Sequence, residues 1–339
     1  MSIQYKKYTS VKKYIERKSR TKFIQSFHSN KLTLIRGALI VGLAPKAHLK
    51  LTKELIDWKI STIVAFINDT SPFEIQNADE LEMSERVTVA YFIGMVFAQI
   101  HMQKKYQVRH MEHLKSSGIT AKSRVKDKKN PDLWGYNPKK KKSYLVEAKG
   151  STVPTDYFDN DKIRKAEKQL NAITEIQYSS PGGTLIFNKA SSNLKKIIIA
   201  THPNLNKEIM QHVIDPIKEE DKIIKINGDE LVYKHYSHLI KFIKSGESKS
   251  IELEKLPGLK FRVVDYISLN CSIGVLEEIY NLLEHITEKD NITEEDIRNV
   301  STEINKFLDN IDDYFIGTSE FKDFSIGIDG VLVFNKDLN

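Results

Sequence analysis

The chain has 339 residues, 40% of them hydrophobic and 29% charged, and carries a net charge of +7. That is apolar material for more than one core under a solvated surface, and no stretch reaches the ~18 uninterrupted apolar residues a membrane span needs. The basic first twenty residues have no apolar stretch behind them, and the single cysteine, Cys271, has no internal disulfide partner, so a cytoplasmic protein without membrane contact is expected.

The charge is unevenly placed. Between positions 104 and 149 fourteen basic residues face four acidic ones, a local +10 that leaves the rest of the chain at −3. Between positions 276 and 323 fourteen acidic residues face four basic ones. The basic segment calls for a polyanion such as DNA. The acidic one is either a solvated face or a docking surface for a basic partner, which includes the chain's own basic segment.

Taken in order, residues 1–30 read as a basic helical lead-in and 31–43 as one or two strands ending at Gly42 and Pro45. Residues 50–59 have a helical pattern, 60–67 read as a strand, and the cluster from Asn68 to Pro72 as a turn. Residues 1–77 are therefore expected to form an N-terminal α/β lobe. A helix opens at Ser84, with Glu85 in its first turn, and runs through Gln103, apolar on nearly every face. Extended segments follow at 107–114 and 119–125, then short strands at 131–136 and 143–148 around a lysine-rich hairpin. Residues 162–177 carry apolar side chains at helical spacing, and 195–200 read as a buried strand. From 205 to 339 an α+β domain is expected: helices at 207–220 and 233–244, strands at 259–266 and 324–334, and acidic helices at 272–286 and 293–311.

The chemistry sits between Pro131 and Gly150. Residues two apart in a strand point to one face, so Glu147 and Lys149 project together with Ala148 turned away, and a hairpin brings Asp132 beside both. Two carboxylates crowded at a strand end beside a lysine repel each other unless a cation neutralises them. A hard divalent ion with oxygen ligands, Mg2+ (or Mn2+), suits them and supplies what phosphodiester hydrolysis needs. Pro131-Asp132 and Glu147-Ala148-Lys149 resemble the two halves of the PD-(D/E)XK nuclease signature, the family of restriction endonucleases.

That resemblance covers residues 83–203. It implies an α/β fold with a restriction-endonuclease-like mixed sheet core flanked by helices, of order αβββαβ, here placed at 78–204. It implies metal ligands at Glu85 (Glu82 as second match), Asp132 and Glu147, a Lys149 that serves the water or the scissile phosphate, and a positioning role for Gln169. It also implies a metal-dependent DNA endonuclease in restriction, phage defence, mobile-element processing or repair. A non-cleaving binding or scaffold subunit with this fold, or an RNase with the same site, remains the alternative. The oligomeric state and any protein partner at the acidic region stay open.

Plainer readings stand beside each residue. Asp132 can simply end a turn, Glu147 and Lys149 can be a solvated charge face, and the helix dipole alone accounts for Glu85. Gln169 can be one polar position of an amphipathic helix, and the lysines at 122–142 a solvated loop. Trp134 and Tyr136 read as core or site-wall aromatics, Cys271 as a buried small side chain, and His110, Glu112 and His113 as a weak metal or acid–base cluster.

Overall fold

A computed structural model of the chain describes residues 1–41, 52–114, 119–123, 130–180, 183–188, 192–216, 222–289, 291–317 and 322–336. The architecture is mixed α/β, with a large mixed sheet and several helices.

The first elements are β1 (Ser2–Tyr8), α1 (Val11–Ile15) and β2 (Gln25–His28), so most of the expected helical lead-in is a strand pair. The charged residues that suggested a helix sit between buried Ile3, Tyr5 and Tyr8. Next come α2 (Lys31–Ile40) and α3 (Lys53–Phe66), both helical where 31–43 and 60–67 read as strands. Asn30 starts α2 by accepting the Thr33 N–H at 2.9 Å, and every residue from Leu32 to Ile40 is buried. A segment buried all round loses its polar face, and with it the period that separates helix from strand. Gly42 and Pro45 lie outside the described residues. Ile67 leaves α3 into β3 (Ile67–Asn68), which pairs with β4 (Glu74–Ile75).

The long helix α4 (Met83–Tyr106) begins at Glu82, and Ser84 lies inside it. The Glu82 carboxylate accepts the Ser84 N–H at 2.8 Å while Glu85 accepts the Glu82 N–H at 3.2 Å, a reciprocal cap. Then follow β5 (Met111–His113), β6 (Ile119–Ser123), β7 (Leu133–Asn137), β8 (Lys142–Gly150) and α5 (Asn160–Asn171). Beyond Asn171, Ile173 lies in a connection and Ile176 in β9 (Glu175–Ser180), which hairpins with β10 (Gly183–Asn188). After β11 (Leu194–Pro203), residues 207–220 hold a strand, β12 (Ile209–Ile214), rather than the expected helix. All six residues of β12 are buried, so again no polar face marked the type.

Seven strands form the main sheet in the order β2-β1-β12-β11-β8-β7-β5. β7 and β8 are an antiparallel hairpin, and β8 runs parallel to β11 through the crossover helix α5. Within the main sheet the succession α4, β5, β7, β8, α5, β11 is thus helix, three strands, helix, strand, while β6, β9 and β10 are diverted into another sheet. Helix α4 covers one face, against Val146, Ala148, Ile197 and Ile199. Helix α5 covers the other, setting Ile163, Ala166 and Leu170 against Leu145, Ile198 and Ala200. The sheet crosses both boundaries expected from the sequence: β1 and β2 come from before position 77 and β12 from after position 204.

The remaining elements are β13 (Lys222–Asn227), α6 (Gly228–Lys244), β14 (Ser248–Glu252), β15 (Lys260–Tyr266), β16 (Cys271–Leu276), α7 (Glu277–Thr287), α8 (Glu294–Gly317), β17 (Phe324–Ile326) and β18 (Val331–Asn335). Residues 272–286 are therefore a strand followed by a helix: the apolar run ends at Leu276 in β16, and from Glu277 the apolar residues Ile279, Tyr280, Leu283 and Ile286 recur at helical spacing. A four-stranded sheet has the order β10-β9-β13-β6 and an antiparallel five-stranded one β14-β15-β16-β18-β17. This last sheet is locked to the helices by a buried polar network. Asp329 Oδ2 accepts from Gln103 Nε2 and from His235 Nε2, each at 3.0 Å, and Arg36 Nη1 donates to Gln103 Oε1 at 2.7 Å and lies 3.7 Å from Asp329 Oδ1. Among the described residues no helix is long and apolar enough to cross a membrane.

Candidate functional site

The β7–β8 hairpin sets the geometry. Its register pairs Leu133 with Val146, which brings Asp132, the residue before β7, level with Glu147. The Asp132 N–H donates to Glu147 Oε2 at 3.1 Å, and the Ala148 N–H donates to Asp132 Oδ2 at 3.0 Å. Lys149, two residues on and on the same face, forms an ion pair with Glu147 Oε1. Ala148 points the other way, into the core under α4. The strand parity expected from the sequence therefore holds, and Asp132, Glu147 and Lys149 are together.

Helix α4 approaches this strand end with nothing between the backbones. A Cβ added at Gly150 would lie 1.7 Å from the Ala90 carbonyl oxygen, and one at Gly94 would lie 2.7 Å from the Gly150 nitrogen. Glycine at 150 is thus required by the close approach. The approach also brings Tyr91 to the carboxylates. Its hydroxyl is 3.3 Å from His113 Nε2, and burial, then the charges of Asp132 and Glu147, push its pKa up to about 12.

Glu147 is fully buried. Burial first, then the neighbouring Asp132, holds its pKa well above the ordinary carboxylate range, while Lys149 pulls it back. Above Lys149 opens a cleft of about 520 Å3 between the start of α4 and the residues after β8, with Arg86, Lys149 and Lys162 supplying cations and Val87, Tyr91 and Val153 an apolar wall.

The other expected residues lie elsewhere. Glu85 and Glu82 are spent on the N-terminal cap of α4. Six residues separate Glu85 from Tyr91, which turns it about 120° around the helix from the side that meets the site. Among the described residues no group of three His, Cys, Asp or Glu side chains is placed to hold an ion, so Glu85 does not join Asp132 and Glu147. Gln169, on α5, donates through Nε2 to the Asn130 carbonyl at 3.3 Å and so props the segment leading into Asp132. The lysines at 139–142 form the hairpin turn at the opposite end of the strands. Five strand residues place them roughly 17 Å from Asp132, so they are not beside the carboxylates. The lysines and arginine at 124–129 lie outside the described residues.

The histidine cluster separates too. His110 Nε2 pairs with the Tyr236 hydroxyl at 2.9 Å, and Glu112, with burial pushing its pKa up to about 8, faces Lys234 and Glu230. Cys271 is buried in β16 with its thiol pushed up to about 12 by that burial, which leaves it inert. Tyr91 is the site residue that sequence reasoning missed, since α4 is apolar on nearly every face and nothing distinguished its site-facing side.

Two oxygen-donor carboxylates side by side, one of them buried and repelled by the other, suit a hard divalent cation. Mg2+ is held by one or two carboxylates, with waters and substrate phosphates completing its shell, so a third carboxylate is not required. Comparison with protein-family models, with curated proteins and with solved structures returned no match.

Proposed function

We propose that this chain is a metal-dependent phosphodiesterase, and specifically an endonuclease acting on DNA. The observation that carries the reading is the convergence of Asp132, Glu147 and Lys149 at one strand end, with Glu147 buried beside a second carboxylate. Once β6, β9 and β10 are set aside as members of another sheet, the helix, three strands, helix and strand around it support the resemblance to PD-(D/E)XK nucleases by their order. The cationic cleft supports a phosphate-bearing substrate. DNA over RNA rests on the resemblance alone.

Asp132 and Glu147 would hold the cation, which when bound polarises a phosphoryl oxygen and activates water. Lys149, anchored by Glu147 and partly exposed to the cleft, would hold a phosphate oxygen and offset the charge that develops there. Tyr91 would wall the site on the α4 side, and Gln169 would keep Asp132 in place through Asn130. Incubating the purified protein with duplex DNA and with RNA, in Mg2+ or in chelator, tests the reading. Mg2+-dependent cleavage of DNA is expected. Cleavage of RNA alone makes the chain an RNase, and binding without cleavage of either makes it a non-cleaving subunit.

A further inference from the structure

Strand β7 lines a second cavity, of about 350 Å3, beyond the carboxylates and toward the hairpin turn. That volume falls in the range that takes small molecules. Its wall is aromatic. The Trp134 and Tyr136 rings, which line it with Tyr178, lie 5.2 and 5.4 Å from the Tyr178 ring, and Tyr136 packs on Phe187 at 5.1 Å, all tilted. Leu185 and Val232 extend the apolar surface.

One strong anion receptor faces this wall. Arg109 lines the cavity with its side chain only 6% exposed, and its Nη2 meets Asp309 of α8 at 3.0 Å. The partners are unequal, because the Asp309 side chain is 53% exposed. Lys306, one turn earlier on α8, also lines the cavity. A planar guanidinium presents paired donors that match phosphate oxygens, and aromatic faces beside an apolar wall match a heteroaromatic ring.

We propose that this cavity binds a nucleoside monophosphate, its base against Tyr136 and Tyr178 and its phosphate on Arg109 in place of Asp309. Asp309 then acts as a resident anion that keeps the guanidinium aimed into the cavity until the ligand displaces it. The site does not depend on the cleavage reading, since its occupancy can be measured without turnover.

The chain has two tryptophans, and Trp58→Phe leaves Trp134, in the cavity wall, as the only indole. Titrating that protein with AMP, GMP, CMP and UMP should give a saturable change in Trp134 fluorescence with at least one of them, at a Kd below about 1 mM. Ribose 5-phosphate, which lacks the base, should give none. Tyr136→Leu should weaken binding at least about fivefold, the scale of removing one base–aromatic stack. Asp309→Asn, which keeps the side chain's shape and whose folding is checked by circular dichroism because Arg109 is nearly buried, should tighten it about two- to fivefold by removing a competing carboxylate. The proposal falls if no nucleotide gives a saturable change, if ribose 5-phosphate matches the nucleotides, or if neither variant alters the affinity.

Discussion

Glu147 and Asp329 are both fully buried carboxylates, and the chain treats them in opposite ways. Asp329 is surrounded by donors: Gln103, His235, the Val331 N–H and the Arg36 guanidinium. Burial pushes its pKa up, but the His235 hydrogen bond and charge, Arg36 and the backbone donor outweigh that and hold it below the ordinary value. Glu147 has Lys149 and one backbone N–H, and it faces Asp132, so its pKa is raised. A carboxylate kept for structure has its partners completed within the fold. One left beside a like charge is poised for something that arrives from outside.

The sharpest break of this comparison is in activity. Asp132→Ala, Glu147→Ala and Lys149→Ala are each expected to lower Mg2+-dependent cleavage at least about a hundredfold while the circular dichroism spectrum stays that of the parent. If Glu147→Ala and Lys149→Ala both cut at the parent rate, the site is misassigned. Asp329→Ala should do the reverse. It leaves Arg36 buried without its carboxylate and should lower stability by about 3–5 kcal/mol in urea unfolding; a drop under about 1 kcal/mol would show that the network tolerates the gap.

Smaller effects sharpen the contrast. A folded-state pKa above the unfolded one means that Glu147 retains a proton the unfolded chain has released, so stability falls as pH rises from the unfolded carboxylate value through the raised one. In chelator at neutral pH, Glu147→Gln should therefore raise the unfolding free energy, on the order of 1 kcal/mol, and the Tm with it. Mg2+ should raise the Tm of the parent and not that of the variant. A variant less stable than the parent in chelator would mean that the Lys149 pair outweighs burial. The lysines at 139–142 come last. Changing all four to Ser should reduce the log–log salt slope of DNA binding by about 0.9 for each phosphate those lysines neutralise. An unchanged slope makes the hairpin a solvated turn.

What the sequence revealed follows from where the fold is periodic. Asp132, Glu147 and Lys149 were legible because strand parity and a hairpin fix them from neighbouring residues alone. The helical pattern at Ile163, Ala166 and Leu170 was legible for the same reason. Glu85 stands out in the sequence because an acidic side chain near a helix start suits both a ligand and a cap, while Tyr91 carries no signal, and only the packing of Gly150 against Ala90 shows which face of α4 meets the site. Residues 31–40 read as strand because a helix buried on every side shares its composition with a buried strand, and 60–67 because Ile60, Thr62, Ile63 and Val64 are β-branched although that end of α3 is half exposed. The pairing of β1 with β12, two hundred residues apart, leaves no local trace in the residues that make it.

That pairing has a consequence for how the molecule comes into being. Strand β1 is made well before its parallel partner, residues 209–214, which follows only after α4, β7, β8, α5 and β11. Non-local pairing of this kind is slow, and an unpaired strand edge invites association with other chains while it waits. Cutting the chain at positions 78 and 204 to isolate the site makes such an edge permanent, since β11 loses its neighbour β12 and with it β1 and β2. A fragment of residues 78–204 should therefore aggregate more readily than the full chain.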